Sequence, residues 1–175
     1  MNKKFKIFFL TFFLCINFNS IIYAEVPHFL DFKFILNQSD AGKKAQTFLK
    51  NKLENGLKNL KNKEEKIQQE EKKIIDQKKV LSAQEYKNKV SNLRKKVSLL
   101  QKERRNLLNT VAEQRNKARN ELLKNLNPII KEYMNEKKIR MVIDKKSLLL
   151  ADENLNITDE IIKKLNNKLK SIKLD

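Results

Sequence analysis

Few side chains in this sequence could carry out catalysis. The chain has one histidine, His28, and no glycine-rich phosphate-binding loop, because its two glycines are isolated. Its adjacent carboxylates, Glu64-Glu65 and Glu70-Glu71, lie in a charged stretch that we predict to be helical, where neighbouring side chains diverge. They are therefore not expected to converge on a metal ion or a proton. We expect no enzymatic activity, no metal and no cofactor.

A run of basic residues offers a different kind of chemistry, the attraction of an acidic partner. Between positions 87 and 105 only Glu103 opposes this run. The run consists of Lys87, Lys89, Arg94, Lys95, Lys96, Lys102, Arg104 and Arg105. Long-range attraction would speed the capture of an acidic partner and would weaken with salt. We predict that this basic face steers such a partner to the protein, with an ordinary solvated helix face as the alternative.

An apolar seam runs through the same stretch and must position these charges. Its residues follow one another at alternating steps of four and three, which is the spacing of a coiled coil. We assign to this arm seam Val90, Leu93, Val97, Leu100, Leu107 and Val111, and its spacing is interrupted by the polar residues Arg104 and Gln114. From about position 41 to 138 the chain is charged almost throughout, with two isolated glycines in its first part and one proline near its end. Such a stretch cannot form a compact core and is predicted to project as a helical arm.

The arm, residues 40–138, is predicted to be a helical hairpin with its tip near residues 80–82. Ser82-Ala83-Gln84-Glu85 fits a capping box, in which the serine hydroxyl and the glutamate satisfy free backbone amides at a helix start. Helices over about 40–79 and 83–137 would be roughly 60 and 80 Å long. The second helix is the longer one, so its last turns should pack outside the hairpin, in a small head formed by the two ends of the mature chain. One continuous helix through the tip is the alternative.

The first 24 residues are typical of a secretory signal peptide. Three lysines precede an apolar run over residues 7–16, and Ile22-Tyr23-Ala24 predicts cleavage between Ala24 and Glu25. Asn17 and Asn19 end the run before it reaches the roughly 20 residues that span a bilayer, which argues against the alternative of a retained anchor. We therefore predict export to the periplasm.

The predicted cleavage decides how the charge of the chain is interpreted. The full sequence of 175 residues carries a net charge of +18, and removal of a segment with three lysines and no acid leaves +15 on 151 residues. Such a charge would ordinarily suggest a nucleic-acid binder. An exported protein meets no chromosome, so we expect no nucleic-acid partner. The mature chain has no cysteine, which excludes disulfides.

The two ends of the mature chain, residues 25–39 and 139–175, are predicted to form a small β/α head. Residues 26–36, 139–144 and 147–151 are predicted to contain short strands, and Thr158 is predicted to cap a final amphipathic helix. Three strands are too few for an independent core, so several chains should associate to complete the head. The expected head and oligomer core consists of Phe29, Met141, Ile143, Leu148, Leu150, Ile161 and Leu165.

Several segments of the mature chain form a specific pattern together with the signal peptide. Asp40-Ala41-Gly42-Lys43-Lys44-Ala45 starts the first helix, and three further segments lie near the end of the chain. Those segments are Ile143-Asp144-Lys145-Lys146, Leu148-Leu149-Leu150-Ala151-Asp152 and Leu155-Asn156-Ile157-Thr158-Asp159-Glu160-Ile161-Ile162. With these residues the chain resembles the Skp/OmpH family of periplasmic chaperones. The Pro27-His28 pair departs from the aliphatic opening strand of the family. The resemblance covers essentially the whole mature chain.

The resemblance implies a mostly α fold with a small β head, from which a long helical hairpin projects. It also implies a homotrimer whose three arms enclose a cavity, and an ATP-independent holdase that binds unfolded outer-membrane β-barrel proteins during outer-membrane assembly. The number three comes from the resemblance alone. A structural or adaptor coiled coil of the cell envelope is the main alternative. Binding of anionic lipid or lipopolysaccharide by the basic residues, or of nucleic acid, is a further alternative.

Overall fold

The structure is a computed structural model that describes residues 26–174. The predicted signal peptide, with Ala24 and Glu25 at its cleavage site, lies outside the described residues. The described elements are, in chain order, β1 (His28–Leu30), α1 (Phe32–Gln38), α2 (Asp40–Asp76), α3 (Ala83–Lys137), β2 (Val142–Asp144) and α4 (Thr158–Lys168). Short 3₁₀ turns cover Gln77–Lys79, Lys145–Ser147 and Glu153–Leu155.

The two long helices, α2 and α3, pack against each other as a hairpin, and they hold 37 and 55 residues. The Ser39 hydroxyl accepts the amide of Gly42 and starts α2. At the far end of the arm, Ser82 and Glu85 form both bonds of the predicted capping box. Lys138 ends α3 in a left-handed backbone conformation, with φ of 57°. The helix boundaries thus follow from local capping residues.

The head is built around the last turns of α3, as the unequal lengths of the helices predict. Strands β1 and β2 pair in parallel, with Phe29 opposite Ile143. The head core is formed by buried apolar residues from β1, α1, the start of α2, the head end of α3, and the segment that leads into and includes α4. These residues are Leu30, Ile35, Ala41, Leu122, Leu126, Ile129, Tyr133, Ile157, Ile161 and Leu165. One small core therefore joins both ends of the chain to the arm.

The N-terminal segment is less extended than its composition predicts. Strand β1 covers only three residues, and Phe32–Gln38 form the helix α1 instead. Asp31 explains the switch, because its carboxylate accepts the amide of Phe34 at 2.7 Å and caps the helix. Ile35 then points into the core and is fully buried. The expected N-terminal strand is present at residues 28–30, and the β character expected for residues 32–36 was wrong.

Two further expectations for the head were also wrong. Residues 147–151 form no strand in the described chain, and the side chains of Leu149 and Leu150 are almost completely exposed. A strand needs a hydrogen-bonding partner, and the sheet has only two strands in the described residues. Thr158 makes no side-chain cap for α4, whose N-cap residue is Ile157. Its hydroxyl instead accepts the backbone amide of Asp31 at 2.8 Å and donates to Asn156 at 2.6 Å.

The fold class predicted from the sequence is confirmed. The chain is mostly helical, with a small two-stranded sheet in the head and a long helical hairpin that extends from it. Among residues 26–174, none of the helices combines the length and apolar character needed to cross a membrane.

Candidate functional site

Burial along the seam between α2 and α3 is uneven. Among the assigned seam residues, Leu100 and Val111 are buried, and Val90, Leu93 and Leu107 are half-buried. Val97 is 40% exposed, so the structure does not bury it in the seam to which the spacing assigned it. The reason is that α2 offers few apolar partners at this level of the arm, where Lys66 and Glu70 lie beside the half-buried Ile67.

Ion pairs between the two helices take up part of the predicted basic face. Lys96 contacts Glu70 at 2.5 Å, and Arg104 contacts Glu64 at 3.2 Å. The reverse pairing also occurs, because Lys63 of α2 contacts Glu103 of α3 at 2.6 Å. All these side chains are at least one-third exposed, so each pair contributes at most about 1 kcal/mol. Their main effect is to neutralise charge locally and to fix the register of the hairpin.

The remaining basic residues of this face are available to an external acidic partner. Lys89 donates to the side-chain oxygen of Gln77, a neutral group, at 3.0 Å. Within residues 26–174 no acidic side chain lies within ion-pair distance of the other five, which are Lys87, Arg94, Lys95, Lys102 and Arg105. All five are exposed on α3. The structure therefore keeps part of the basic face open and leaves its steering role a prediction.

A groove at the base of the arm is the most developed surface feature that the sequence reasoning missed. It has a volume of about 860 Å³ and runs between α2 and α3 next to the head. Its apolar lining comes from both helices and the end of α1, and consists of Leu36, Ala45, Leu49, Leu53, Val111, Ala118 and Leu122. Its charged lining residues are all basic, namely Lys43, Lys50, Arg115 and Arg119. The groove thus offers an apolar floor and a cationic rim.

The sequence held only a weak signal for this groove. Lys43 and Lys50 lie on one helix, and Arg115 and Arg119 lie on the other. The two pairs are about seventy positions apart in the sequence. They come together only when the register of the hairpin is known. The spacing of seven between the lysines and of four between the arginines does place each pair on one side of its helix.

A second, smaller groove of about 280 Å³ lies halfway along the arm. Leu99, Leu100 and Ile67 form its apolar surface, and the ion pairs Lys63–Glu103 and Lys96–Glu70 border it. Leu99 is 57% exposed although it lies beside the seam. The charged lining of this groove combines three lysines with two glutamates, in contrast to the wholly basic rim of the groove at the base.

The tip of the arm is held by its capping box and exposes one large apolar residue. Hydrogen bonds from the side chain and backbone of Ser82 lower the pKa of Glu85 below its ordinary value of 4.5. The carboxylate is therefore charged at neutral pH and acts as an acceptor at the start of α3. Val80, just before it, is 82% exposed. The tip combines a fixed turn with an exposed aliphatic side chain.

The predicted head residues differ in their burial. Phe29, Ile161 and Leu165 are buried within the chain, whereas Ile143 and Leu148 are half-buried. Met141 and Leu150 are 57% and 94% exposed. Met141 and Ile143 line an open apolar groove of about 430 Å³ beside β2. Residues 26–174 leave this edge of the head uncovered, and the contact of these residues with another copy stays a prediction.

Electrostatic interactions tie α4 to the head end of α3. Lys164 contacts Glu136 at 2.9 Å, which raises the pKa of the lysine. Burial raises the pKa of Tyr133, whose ring lies beneath the Lys164 ammonium at 5.8 Å. Across the described part of the chain, no three side chains of the metal-ligating types form a cluster. The titratable groups of the head are thus arranged as structural contacts between helices.

Comparisons with known proteins give a consistent result. A family model described as outer membrane protein (OmpH-like) matches residues 28–165. The chain is similar to the crystal structure of a candidate outer membrane chaperone, OmpH-like, from Caulobacter crescentus CB15, with a TM-score of 0.79 and 19% sequence identity. The similarity covers 86% of this chain and 90% of that one, and at this identity it shows a shared fold. A search of curated proteins gives no match.

Proposed function

The chain belongs to the OmpH-like family of outer membrane proteins, and on that premise we propose that it is an ATP-independent holdase chaperone of the periplasm. Its clients would be unfolded outer-membrane β-barrel proteins, which it would keep from aggregating during outer-membrane assembly. The related structure from C. crescentus, described as a candidate outer membrane chaperone, supports this proposal through its shared fold.

The groove at the base of the arm is the observation that carries the proposal. Strands of an outer-membrane barrel alternate apolar and polar residues, and they aggregate when their edges are exposed. The apolar floor can accept the apolar side chains of such a segment, while Lys43, Lys50, Arg115 and Arg119 can contact acidic ones. A folded barrel in its membrane offers no such flexible segment. Preferential binding of the unfolded form is sufficient for a holdase and needs no nucleotide.

Charge along the arm would bring clients to this groove. Lys87, Arg94, Lys95, Lys102 and Arg105 extend the cationic surface along α3 towards the tip. Such a surface accelerates encounters with acidic chains, and the acceleration decreases as salt increases. The five residues would act together, since attraction over several ångströms depends on their summed field.

Assembly would convert the single arm into a cavity. The exposed Met141 and Leu150, together with the groove beside β2, leave the head with uncovered apolar surface. We infer that copies of the chain associate through this surface as a homotrimer, with residues 25–39 and 139–175 as the body and residues 40–138 as the arms. The signal peptide of residues 1–24 would deliver each copy to the periplasm.

Two other functions would use the same surfaces differently. A structural or adaptor coiled coil of the envelope would bind one fixed partner and would not suppress aggregation of several clients. An anionic lipid or lipopolysaccharide could place acyl chains on the apolar floor and phosphates against the basic rim. Competition between vesicles of anionic lipid and an unfolded client would identify a shared groove.

The proposal is tested with the mature chain, from Glu25 onward, and an outer-membrane barrel protein diluted out of urea. We expect suppressed light scattering and a stable complex that weakens with salt. The double variant Lys50→Glu/Arg115→Glu should bind the client about tenfold more weakly, because it places like charges against acidic side chains. Lys72→Glu/Lys73→Glu, the matched control, changes the charge equally on the arm outside the groove. Unchanged aggregation with a normally assembled protein would contradict the holdase function.

A further inference from the structure

Residues 169–174, which follow α4, fold back onto the base of the arm. Beyond α4, residues 169–174 form an extended tail without regular secondary structure. Leu174 is only 3% exposed and packs in a slot between the two long helices. The buried walls of this slot are Ala45, Leu49, Val111 and Ala118, which also belong to the floor of the groove at the base of the arm. Leu53 and Leu107 extend the slot. An extended segment with an apolar side chain thus occupies the base of the arm.

Gln114 contacts the main chain of this tail. Its side-chain nitrogen donates a hydrogen bond to the carbonyl oxygen of Leu174. The side-chain oxygen of Gln114 is buried and has no hydrogen-bond partner in the described structure. A buried amide that uses its donor and leaves its acceptor unused can still accept a backbone N–H. This pair of groups can bind the peptide units of an extended segment whatever its side chains are.

The tail is held by few interactions. Ile172 is half-buried against the slot and the head core, whereas residues 170, 171 and 173 are exposed. Lys170 contacts Asp40 at 3.4 Å in an exposed ion pair. Beyond the bond that Leu169 makes to α4, the one tail backbone hydrogen bond found in the described residues is that from Gln114. A segment that lies outside the helices and is anchored by two apolar side chains can detach without unfolding the helices beneath it.

We propose that this slot is a binding site for extended apolar segments and that the tail is its exchangeable internal ligand. The site rests on the proposed function, because the external ligand is a segment of an unfolded client. Leu174 shows the chemistry that the slot accepts, namely one aliphatic side chain with an adjacent peptide carbonyl. A client segment displaces the tail and gains the same contacts. The occupied fraction of the slot therefore sets the apparent client affinity.

The test measures the affinity of a fluorescently labelled, urea-unfolded barrel protein for full-length and altered mature chains. A chain ending at Ser171 and the variant Leu174→Asp should both bind the client about tenfold more tightly, since the slot no longer needs to be vacated. Lys173→Ala is the matched control, because Lys173 is the exposed neighbour of Leu174, and its affinity should be unchanged. Circular dichroism and light-scattering mass verify that helix content and assembly are intact.

A synthetic peptide of residues 168–175 separates the slot from the chaperone function. The chain ending at Ser171 should bind this peptide, and the same peptide with Leu174→Asp should not bind. Unfolded client should release the bound peptide. A correctly folded truncated chain that binds neither peptide, or binds both equally, would overturn the site. Peptide binding without release by a client whose aggregation is nevertheless suppressed would overturn the exchange and leave the holdase function standing. If full-length protein fails to suppress aggregation, the holdase function fails whatever the peptide result.

Discussion

Gly56 allows the two long helices to approach each other closely beside Leu107. A Cβ atom on Gly56 would lie 2.5 Å from one terminal carbon of Leu107 and 2.6 Å from the other. Gly42 has an even closer neighbour, because a Cβ there would lie 1.9 Å from the carbonyl oxygen of Leu36. A side chain at Gly42 would meet backbone, whereas one at Gly56 would force the end of the Leu107 side chain to shift. The sequence shows both glycines as isolated, and only the packed structure gives the physical reason for them.

Replacement of Gly56 by alanine should have two opposing effects on the free energy of unfolding. Alanine favours the helix by about 1 kcal/mol, while crowding against Leu107 costs about 1 to 3 kcal/mol. We expect Gly56→Ala to lower the free energy of unfolding, by up to about 2 kcal/mol. In a Leu107→Ala background the crowding is absent, so Gly56→Ala should raise the free energy of unfolding by about 1 kcal/mol. Urea unfolding of the four proteins at one concentration measures this coupling, and equal effects in both backgrounds would contradict the close contact.

Single residues also show where local sequence reasoning works and where it stops. The capping box at Ser82 was predicted correctly, because both partners lie within four residues. The role of Thr158 was not, because the amide that its hydroxyl accepts belongs to Asp31, 127 residues away. The basic rim of the arm-base groove was missed for the same reason. Interactions between distant segments depend on a register that the sequence does not display.

At the scale of elements, Thr158 connects the first strand and helix of the head to the last helix. Its hydroxyl joins the backbone of Asp31 to the side chain of Asn156. The next backbone bond, from the amide of Ile157 to the carbonyl of Phe29, lies beside it. Thr158 is 4% exposed, so water cannot readily replace these bonds. The start of α4 is therefore locked to the turn that begins α1.

Removal of this hydroxyl should loosen α1 and lower the stability of the head. Thr158→Val keeps the shape of the side chain but leaves the Asp31 amide without its acceptor, which costs about 1 to 3 kcal/mol. Amide hydrogen exchange at Asp31 should become faster by about tenfold in this variant. Thr158→Ser retains the hydroxyl and serves as the control, with exchange at Asp31 close to that of the unaltered protein. Equal exchange in the valine and serine variants would show that the hydroxyl does not protect this amide.

The elements of the arm were predictable and those of the head were only partly so. Apolar spacing and capping residues predict long charged helices well. The predicted helix starts near residues 40 and 83 agree with the structure. Residues 147–151 have the aliphatic composition of a strand but no pairing partner in the described chain. Residues 32–36 have a similar composition, and the cap at Asp31 directs them into a helix. For such short segments, neighbours decide the structure more than composition does.

At the scale of the whole molecule, the uncovered apolar surface of the head is the feature that a single chain leaves unexplained. Leu149 and Leu150 are adjacent and almost fully exposed, and Met141 is exposed near β2. Contiguous apolar surface of this kind usually marks an interface. The edge of β2 that does not face β1 has no partner strand in the described residues. Residues 147–151 could therefore complete a sheet in another copy, which would explain why their strand-like composition finds no use within one chain.

A charge at Leu150 should prevent this association. We expect Leu150→Asp to convert the assembly to single chains at micromolar concentration, because burying an unpaired carboxylate in an apolar interface is strongly unfavourable. Light-scattering mass determination measures the change directly. Leu99→Asp is the matched control, since Leu99 is an exposed leucine of the arm, outside the head. It should retain the mass of the unaltered protein.

The same association predicts how stability depends on concentration. If several heads complete one another, dilution below the assembly constant should unfold the head while much of the arm helix survives, since the seam between α2 and α3 lies within one chain. Circular dichroism would then show two melting steps, of which only the head step moves to lower temperature on dilution. Leu150→Asp should melt like the diluted protein at every concentration. The contrary result would be a single melting step that is independent of concentration in both proteins. That result would mean that the small core around Leu126 and Ile161 is sufficient to fold the head of one chain. Leu149 and Leu150 would then serve a partner other than a second copy.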